Sequence, residues 1–330
     1  DDDNDDNNDE ITQAYRKVLI ETFTGKNCGY DPDAHKIANE LAAAYPGRVF
    51  PINIHCGGFS PTSYPNMNTT DGTEMMNAFN VSGFPSGNIN RNSASAIGRN
   101  QWNSETYNQL SQIAEVNVSG GVVINPLDRV AEITVDLEYI SNSNYNTNYL
   151  TVMMLQDSIW GSQSGGSTNP EQYVNGQYCH MHVLRDIITP TWGDAVSPTT
   201  AGTHITKTYI YEIPEIIGDP NGVDVDLNNI YFLAFVTETY QDTPTRPVLN
   251  VDKLELVNDN ENPECDAPTD LTYYIDEFDY NNVTLSWTAP AGADSANVTY
   301  GIYSTSTSMT PLYHGISETS YTIEDLTAGN

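Results

Sequence analysis

A chain of 330 residues exceeds the roughly 250 to 300 residues at which one hydrophobic core stops growing, so two or three domains are expected. Only 12 Lys and Arg stand against 44 Asp and Glu, a formal net charge of -32, which repels phosphate backbones, argues against nucleic acid as a partner and favours a hydrated surface. No run approaches the roughly 20 apolar residues of a membrane-spanning helix, and the abundance of Asn, Thr, Ser and Tyr over charged residues suits the exposed sheet and polar loops of an exported protein.

Residues 1–10, DDDNDDNNDE, have nothing to bury and read as the start of a disordered tail over 1–15. This run resembles the acidic stretch behind the lipidated cysteine of surface lipoproteins of Bacteroidetes, which implies peripheral membrane attachment through an N-terminal lipid. From Val18 to Phe23 the apolar VLIETF reads as a strand. It leads through TGKNCGYDP into a helix over about 32–45, where Ala34, Ile37, Ala38, Leu41 and Ala42 recur on one face. Pro32 suits its first turn, and Pro46-Gly47 ends it. A second strand follows over Val49 to His55, parallel to the first. A short helix (Thr73 to Phe79), the segment VSGFPSG, a strand with Ile89 and a helix from about Asn103 to Val116 complete the order β-α-β-α-β-β-α over 16–116. That order resembles a thioredoxin-like domain.

Thioredoxin-like proteins place Cys-x-x-Cys where the first strand meets the first helix, because helix-terminal N–H groups stabilise a thiolate there. Here the segment is Cys28-Gly29-Tyr30-Asp31-Pro32, so the first cysteine is kept and Asp31 stands where the second is expected. A carboxylate cannot resolve a mixed disulfide, and its negative charge disfavours a nearby thiolate. Pro85 of Phe84-Pro85 falls where the resemblance implies a cis-proline beside the site, and an X-Pro bond makes that isomer accessible. Cys28, Asp31 and Pro85 are therefore the candidate catalytic residues of a degenerate redox site. Cys56 ends the second strand on the same sheet edge as Cys28. The pair is open to three readings: a structural disulfide, a free or slow monothiol, or a working redox couple. His55 beside Cys56 reads as a surface or packing residue, or as a group polarising the thiol.

Beyond Val116 the helical periodicity ends, and Ala131 to Tyr139, Tyr149 to Leu155, Thr206 to Tyr211 and Ile230 to Thr237 alternate or run apolar between turn clusters. This predicts a separate β-sandwich over 117–257. In QYCHMHVLRD, alternation sets Tyr178, His180, His182 and Leu184 on one face. Two histidines two apart on a strand can share a metal, although no local third ligand accompanies them. Asp219, Asn221, Asp224 and Asp226 gather hard oxygen ligands in a turn-rich loop, a possible calcium site whose spacing differs from the EF-hand. Calcium is thus the one cofactor the sequence suggests.

Residues 258–268 read as a linker. Over 269–330, APTDLTYY, NNVTLSWTAP and TSYTIEDLTAGN resemble the opening strands of a fibronectin type III domain, with Trp287 as its buried tryptophan and Tyr321 and Leu326 at the corner. The fold class is multidomain α/β plus all-β: a thioredoxin-like domain, a β-sandwich and a partial fibronectin type III-like β-sandwich.

VLIETFTGKNCGYDPDAHK, GFPSGNINR, and QYCHMHVLRD with WGDAV resemble the outer membrane protein 28-related family of Bacteroidetes over about 16–257. The resemblance implies an outer-membrane, surface-exposed place. Its members usually carry two cysteines at the first stretch, from which Cys28 with Asp31 departs. No Gly-x-Ser-x-Gly, Walker loop, His-Glu-x-x-His or dinucleotide fingerprint occurs. The function expected is a non-catalytic surface module that binds a protein or glycan partner. The alternative is a monothiol oxidoreductase or isomerase-like protein using Cys28.

Overall fold

In the computed structural model of the protein, the described residues are 14–240, 245–257, 268–276, 279–290, 300–302 and 313–324. The acidic run at the start, most of the linker expected at 258–268, Cys265 and Leu326 lie outside them. The chain divides into two units, Asp1–Val123 with Ala131–Val257, and Ile124–Val130 with Asn258–Asn330.

The first part of the larger unit holds β1 (Val18–Thr24), α1 (Asp31–Ala44), β2 (Val49–His55), α2 (Thr70–Ala78), β3 (Ser86–Ile89), β4 (Ile97–Gly98) and α3 (Trp102–Leu110). β1 is buried on both faces, as a central strand of a covered sheet must be, and this explains its continuous apolar run. It pairs parallel to β2, with Val18 opposite Val49, and antiparallel to β3. α1 begins at Asp31 with Pro32 in its first turn and buries Ala34, Ala38 and Leu41 in a cluster with Val18, Ile20, Val49, Ile89 and Trp102. α2 starts three residues before the expected Thr73 because the Thr69 hydroxyl accepts from Gly72 N–H and caps it there. α3 stops at Leu110, well short of Val116. Backbone bonds from Arg16 to Gln112 and from Ala114 to Ala14 take over where the helix was expected to run on.

The remaining strands of this unit are β5 (Val116–Asn125), β6 (Val130–Tyr139), β7 (Asn148–Gln156), β8 (Ile159–Gly161), β9 (Tyr173–Val174), β10 (Gln177–His180), β11 (Val183–Ile187), β12 (Asp194–Val196), β13 (His204–Glu212), β14 (Ile216–Ile217), β15 (Val223–Asp224), β16 (Ile230–Thr237), β17 (Val248–Lys253) and β18 (Glu255–Leu256). The four strands expected here are all present. The separate body expected at 117–257 is not. β7, β11, β16 and β17 extend the sheet of the first part into one nine-stranded sheet, ordered β17-β16-β7-β11-β2-β1-β3-β4 with β12 beside β7.

The join has a local cause. β2 would otherwise be an open edge, and its Asn53 closes that edge: the backbone N–H donates to His182 C=O at 2.7 Å and the side-chain amide to Met181 C=O at 2.8 Å. One core follows from one sheet. Leu19, Phe23, Ile54, Met75 and Phe79 share a buried cluster with Met153, Leu155, Leu184, Trp192 and Phe235. At its centre the fully buried Arg91 makes a two-pronged ion pair with Glu21, with Nη2 at 2.7 Å and Nε at 2.9 Å from Oε1. The Arg91 guanidinium also lies 4.7 Å from the Phe235 ring centroid and 5.5 Å from that of Trp192. A second sheet runs β13-β6-β5-β18, in which β6 buries alternate residues as its pattern requires. Two smaller sheets, β8-β10-β9 and β14-β15, complete the unit.

In the second unit β19 (Thr269–Asp276), β20 (Asp279–Thr288) and β23 (Ser320–Ile323) form one sheet, and β21 (Tyr300–Ile302) pairs with β22 (Tyr313–Ile316). Trp287 stacks edge-on against Tyr300 at 5.1 Å. It is half-buried rather than enclosed, lining a groove with Leu271, Leu285 and Ile302.

Candidate functional site

The turn between β1 and α1 sets Cys28 just ahead of the helix. Its backbone N–H donates to Gly25 C=O at 2.9 Å. Gly25 is required there, because a Cβ would stand 2.4 Å from the Phe59 backbone. The Phe84–Pro85 bond is cis, and the Cys28 thiol donates to the Phe84 carbonyl at 3.5 Å. Cys28 and Pro85 are thus brought together.

Asp31 belongs to the same corner. One of its carboxylate oxygens accepts from the Thr24 hydroxyl at 2.6 Å and from Gly25 N–H at 2.5 Å. Burial pushes the Asp31 carboxyl up. Burial first, then the hydrogen bond and charge of Asp31, push the Cys28 thiol up to about 11. Cys56 is pushed up to about 12, again by burial and then by the Asp31 charge. Cys28, Cys56 and Cys179 are free thiols, so no bridge joins Cys28 to Cys56 in this structure.

The corner is closed from a distant part of the chain. Gln163 donates to Cys28 C=O at 2.9 Å, Ser164 N–H donates to Lys26 C=O at 2.8 Å, and Gly165 at φ +68° packs on the Gly29 backbone. Cys28 is left 3% exposed.

Behind it runs a buried polar relay absent from the sequence reading. Tyr178 OH lies 2.9 Å from His35 Nδ1, and His35 Nε2 lies 2.9 Å from Thr24 Oγ1, which donates to Asp31. The Thr24 proton is committed to Asp31, so His35 donates to Thr24 through Nε2, while the Tyr178 hydroxyl also bonds Gln172 Oε1 at 3.1 Å. Burial holds His35 down to about 3. His180 stands edge-on to Tyr178 at 5.0 Å and to His55 at 5.3 Å, and burial lowers His180 to about 4. The shared face of Tyr178 and His180 matches the expected alternation. His35 was legible too, since it follows Ala34 on the buried face of α1; nothing local signalled its partner 143 residues away.

Other candidates separate. His182 has φ +56°, leaves the strand, and sets Nδ1 2.7 Å from Tyr231 OH, away from His180. The His180–His182 pair therefore does not share a ligand, since the turn at His182 breaks the alternation. His55 is a buried packing residue. Asn221 donates to Thr62 C=O and Asp226 accepts from Asn228 and Asn229, while Asp219 and Asp224 are exposed. Among the described residues no three His, Cys, Asp or Glu side chains gather as a metal site, Asp219, Asp224 and Asp226 included. No helix among them is long and apolar enough to cross a membrane.

The fold is similar to that of HBP35 of Porphyromonas gingivalis, with a TM-score of 0.60 at 16% identity over 84% of this chain and 96% of that one. Looser matches are protein AGR_C_4864 from Agrobacterium tumefaciens, with a TM-score of 0.44 at 13% identity over 74% and 96% of the two chains, and a domain of the outer membrane lipoprotein Omp28 from P. gingivalis, with 0.28 at 16% over 44% and 90%. Among curated protein sequences none matches the chain. The family model of outer membrane protein Omp28 matches residues 73–260, more than half of the chain and the stretch that closes both the sheet and the Cys28 corner, so the protein belongs to the Omp28 family and is an outer-membrane protein.

Proposed function

We propose that this chain is a non-catalytic binding module at the outer-membrane surface, built on a thioredoxin-like unit (16–116) that has lost redox exchange. The sheet order β2-β1-β3-β4, the cis-proline and the position of Cys28 support the thioredoxin-like reading. The strands β19 to β23, with Trp287 against Tyr300, support a fibronectin type III-like reading of the second unit. The partner is a protein or a glycan met by polar loops.

One observation carries the loss of redox work: Cys28 is 3% exposed beneath Gln163 and against Asp31, its thiol pushed up to about 11. A disulfide exchanger needs an accessible thiolate. At pH 7 a thiol of that pKa is ionised to only about one part in 10⁴.

Iodoacetamide alkylation of the folded protein with peptide mass mapping tests this. Cys28 is expected to react slowly at pH 7, with an apparent pKa above the reference of about 8.5. Rapid labelling with an apparent pKa below that reference would establish the monothiol oxidoreductase instead.

A further inference from the structure

Between β7 and β11 the chain leaves the main sheet, and residues 159–180 form the small sheet β8-β10-β9. Most side chains from 161 to 177 are exposed. The excursion has a fixed root: Val183 pairs with Gln156 and with Asn53, and Asp157 accepts from His182 N–H at 2.6 Å. Ser158 at φ +62° and His182 at φ +56° flank it, two strained backbone positions where the chain turns out and back. Its far end rests on the Cys28 corner through Gln163, Ser164 and Gly165, and on α1 through Asn39, whose amide donates to Gln172 at 3.2 Å.

Beneath it lie three imidazoles from three elements: His35 of α1, His55 of β2 and His180 of β10, each 1% exposed. Tyr178 bridges His35 to the excursion, and the His180 ring stands against that of His55. Neither nitrogen of His55 meets a protein partner. The charged groups around the rings are mostly cations. Lys26, itself buried, faces His55 and His180, Arg185 faces His55, and His182 faces His35. Asp31 stands behind Thr24 and is spent on Thr24 and Gly25, while the Ser162 backbone favours a proton on His180. An imidazolium in this cluster is opposed by burial and by like charge, and water removes both penalties.

From this cluster we infer that residues 159–180 are an acid-released strap: in mild acid, protonation of the three histidines lifts β8, β9, β10 and the Gln163–Gly165 contact off the Cys28 corner while the main sheet stays folded. The sign follows from linkage. The rings are held low while the strap is closed, His35 to about 3 and His180 to about 4, so closure is favoured above about pH 6.5 and is lost as pH falls below it. Each ring that gains water multiplies the open population by about 25 between pH 7 and pH 5. Asp31, raised by burial, opposes part of this. The inference adds a conformational control to the binding module and does not depend on its partner.

Hydrogen exchange of the full chain at pH 7 and pH 5, corrected for the intrinsic rate at each pH and followed by mass spectrometry, tests it. Peptides covering Ser164 and Cys179 are expected to lose protection by at least about 25-fold at pH 5, and to stay at least about 100-fold less protected than β7 and β16 at both pH values, as an opening short of global unfolding requires. Gln163→Ala removes the bond to Cys28 C=O and is expected to lower strap protection about threefold at both pH values. His180→Phe keeps a buried ring without its proton and should remove about 25-fold of the pH effect; should it fail to fold, the unmodified chain and Gln163→Ala decide. Strap protection equal to that of β7 and β16, unchanged between pH 7 and pH 5, or indifferent to Gln163→Ala overturns the strap. Reaction of Cys28 with 4,4′-dithiodipyridine, taken as a ratio to glutathione at the same pH, should rise from pH 7 to pH 5 by the same factor. A ratio that stays flat, with slow labelling at pH 7, removes the strap and keeps the non-catalytic reading, whereas rapid labelling at pH 7 removes that reading and leaves the strap to the exchange result.

Discussion

Arg91 and Arg185 are equally buried, and their surroundings are opposite. Arg91 meets Glu21 through two nitrogens and is walled by Phe235, Trp192 and Phe79. Arg185 meets two backbone carbonyls, has no carboxylate bonded to it, and borders a cleft. The difference separates a buried charge compensated by a carboxylate from one held by backbone carbonyls alone. Arg91 is matched by a carboxylate, whereas Arg185 keeps two buried nitrogens without a partner.

Removing the matched partner should give the largest effect. Glu21→Ala strands the Arg91 charge in the core and is expected to destabilise folding by about 3 to 5 kcal/mol, read as a lower urea midpoint. A loss under 1 kcal/mol would mean that the aromatic walls, rather than the ion pair, hold Arg91.

Acid gives the next effect. Burial depresses His35 to about 3, His180 to about 4 and His55 well below its ordinary value. A histidine depressed in the folded state is protonated first in the unfolded chain. Its stabilisation is present above about pH 6.5 and is lost as pH falls from there toward the folded values, by about 1.4 kcal/mol per pH unit for each ring. Asp31 and Asp186, raised by burial, oppose part of that loss. Urea midpoints at pH 7 and pH 5 should fall with acid, and less steeply in His180→Phe. An equal slope in the variant would assign the acid sensitivity to other groups.

Arg185→Met should cost least, within about 1 kcal/mol, because the charge it removes is already poorly compensated. A loss as large as that of Glu21→Ala would make Arg185 a core residue and erase the contrast.

What the sequence revealed and what it hid divide by distance along the chain. β1 and β2 were legible because apolar runs with turn residues at their ends need no partner to be recognised. Cys28, Asp31 and Pro85 were legible because the turn before α1 and the X-Pro bond are local. The end of α3 was not, since the backbone of Ala14 and Arg16 decides it. The union of the two halves was not, since it turns on Asn53, a polar residue in an apolar strand that carried no signal until Met181 and His182 lay beside it. The cleft at Arg185 was invisible for the same reason: the arginine stood in a stretch that was read for its histidines.

The Asn53 seam limits how the protein can be cut. A fragment ending near residue 116 keeps every element of the first fold motif, yet it bares the edge of β2 at Asn53 and removes Gln163 from Cys28 at once. Such an excised piece would be a sticky template for strand addition carrying an exposed sulfur. The two halves are therefore best expressed and engineered as one part.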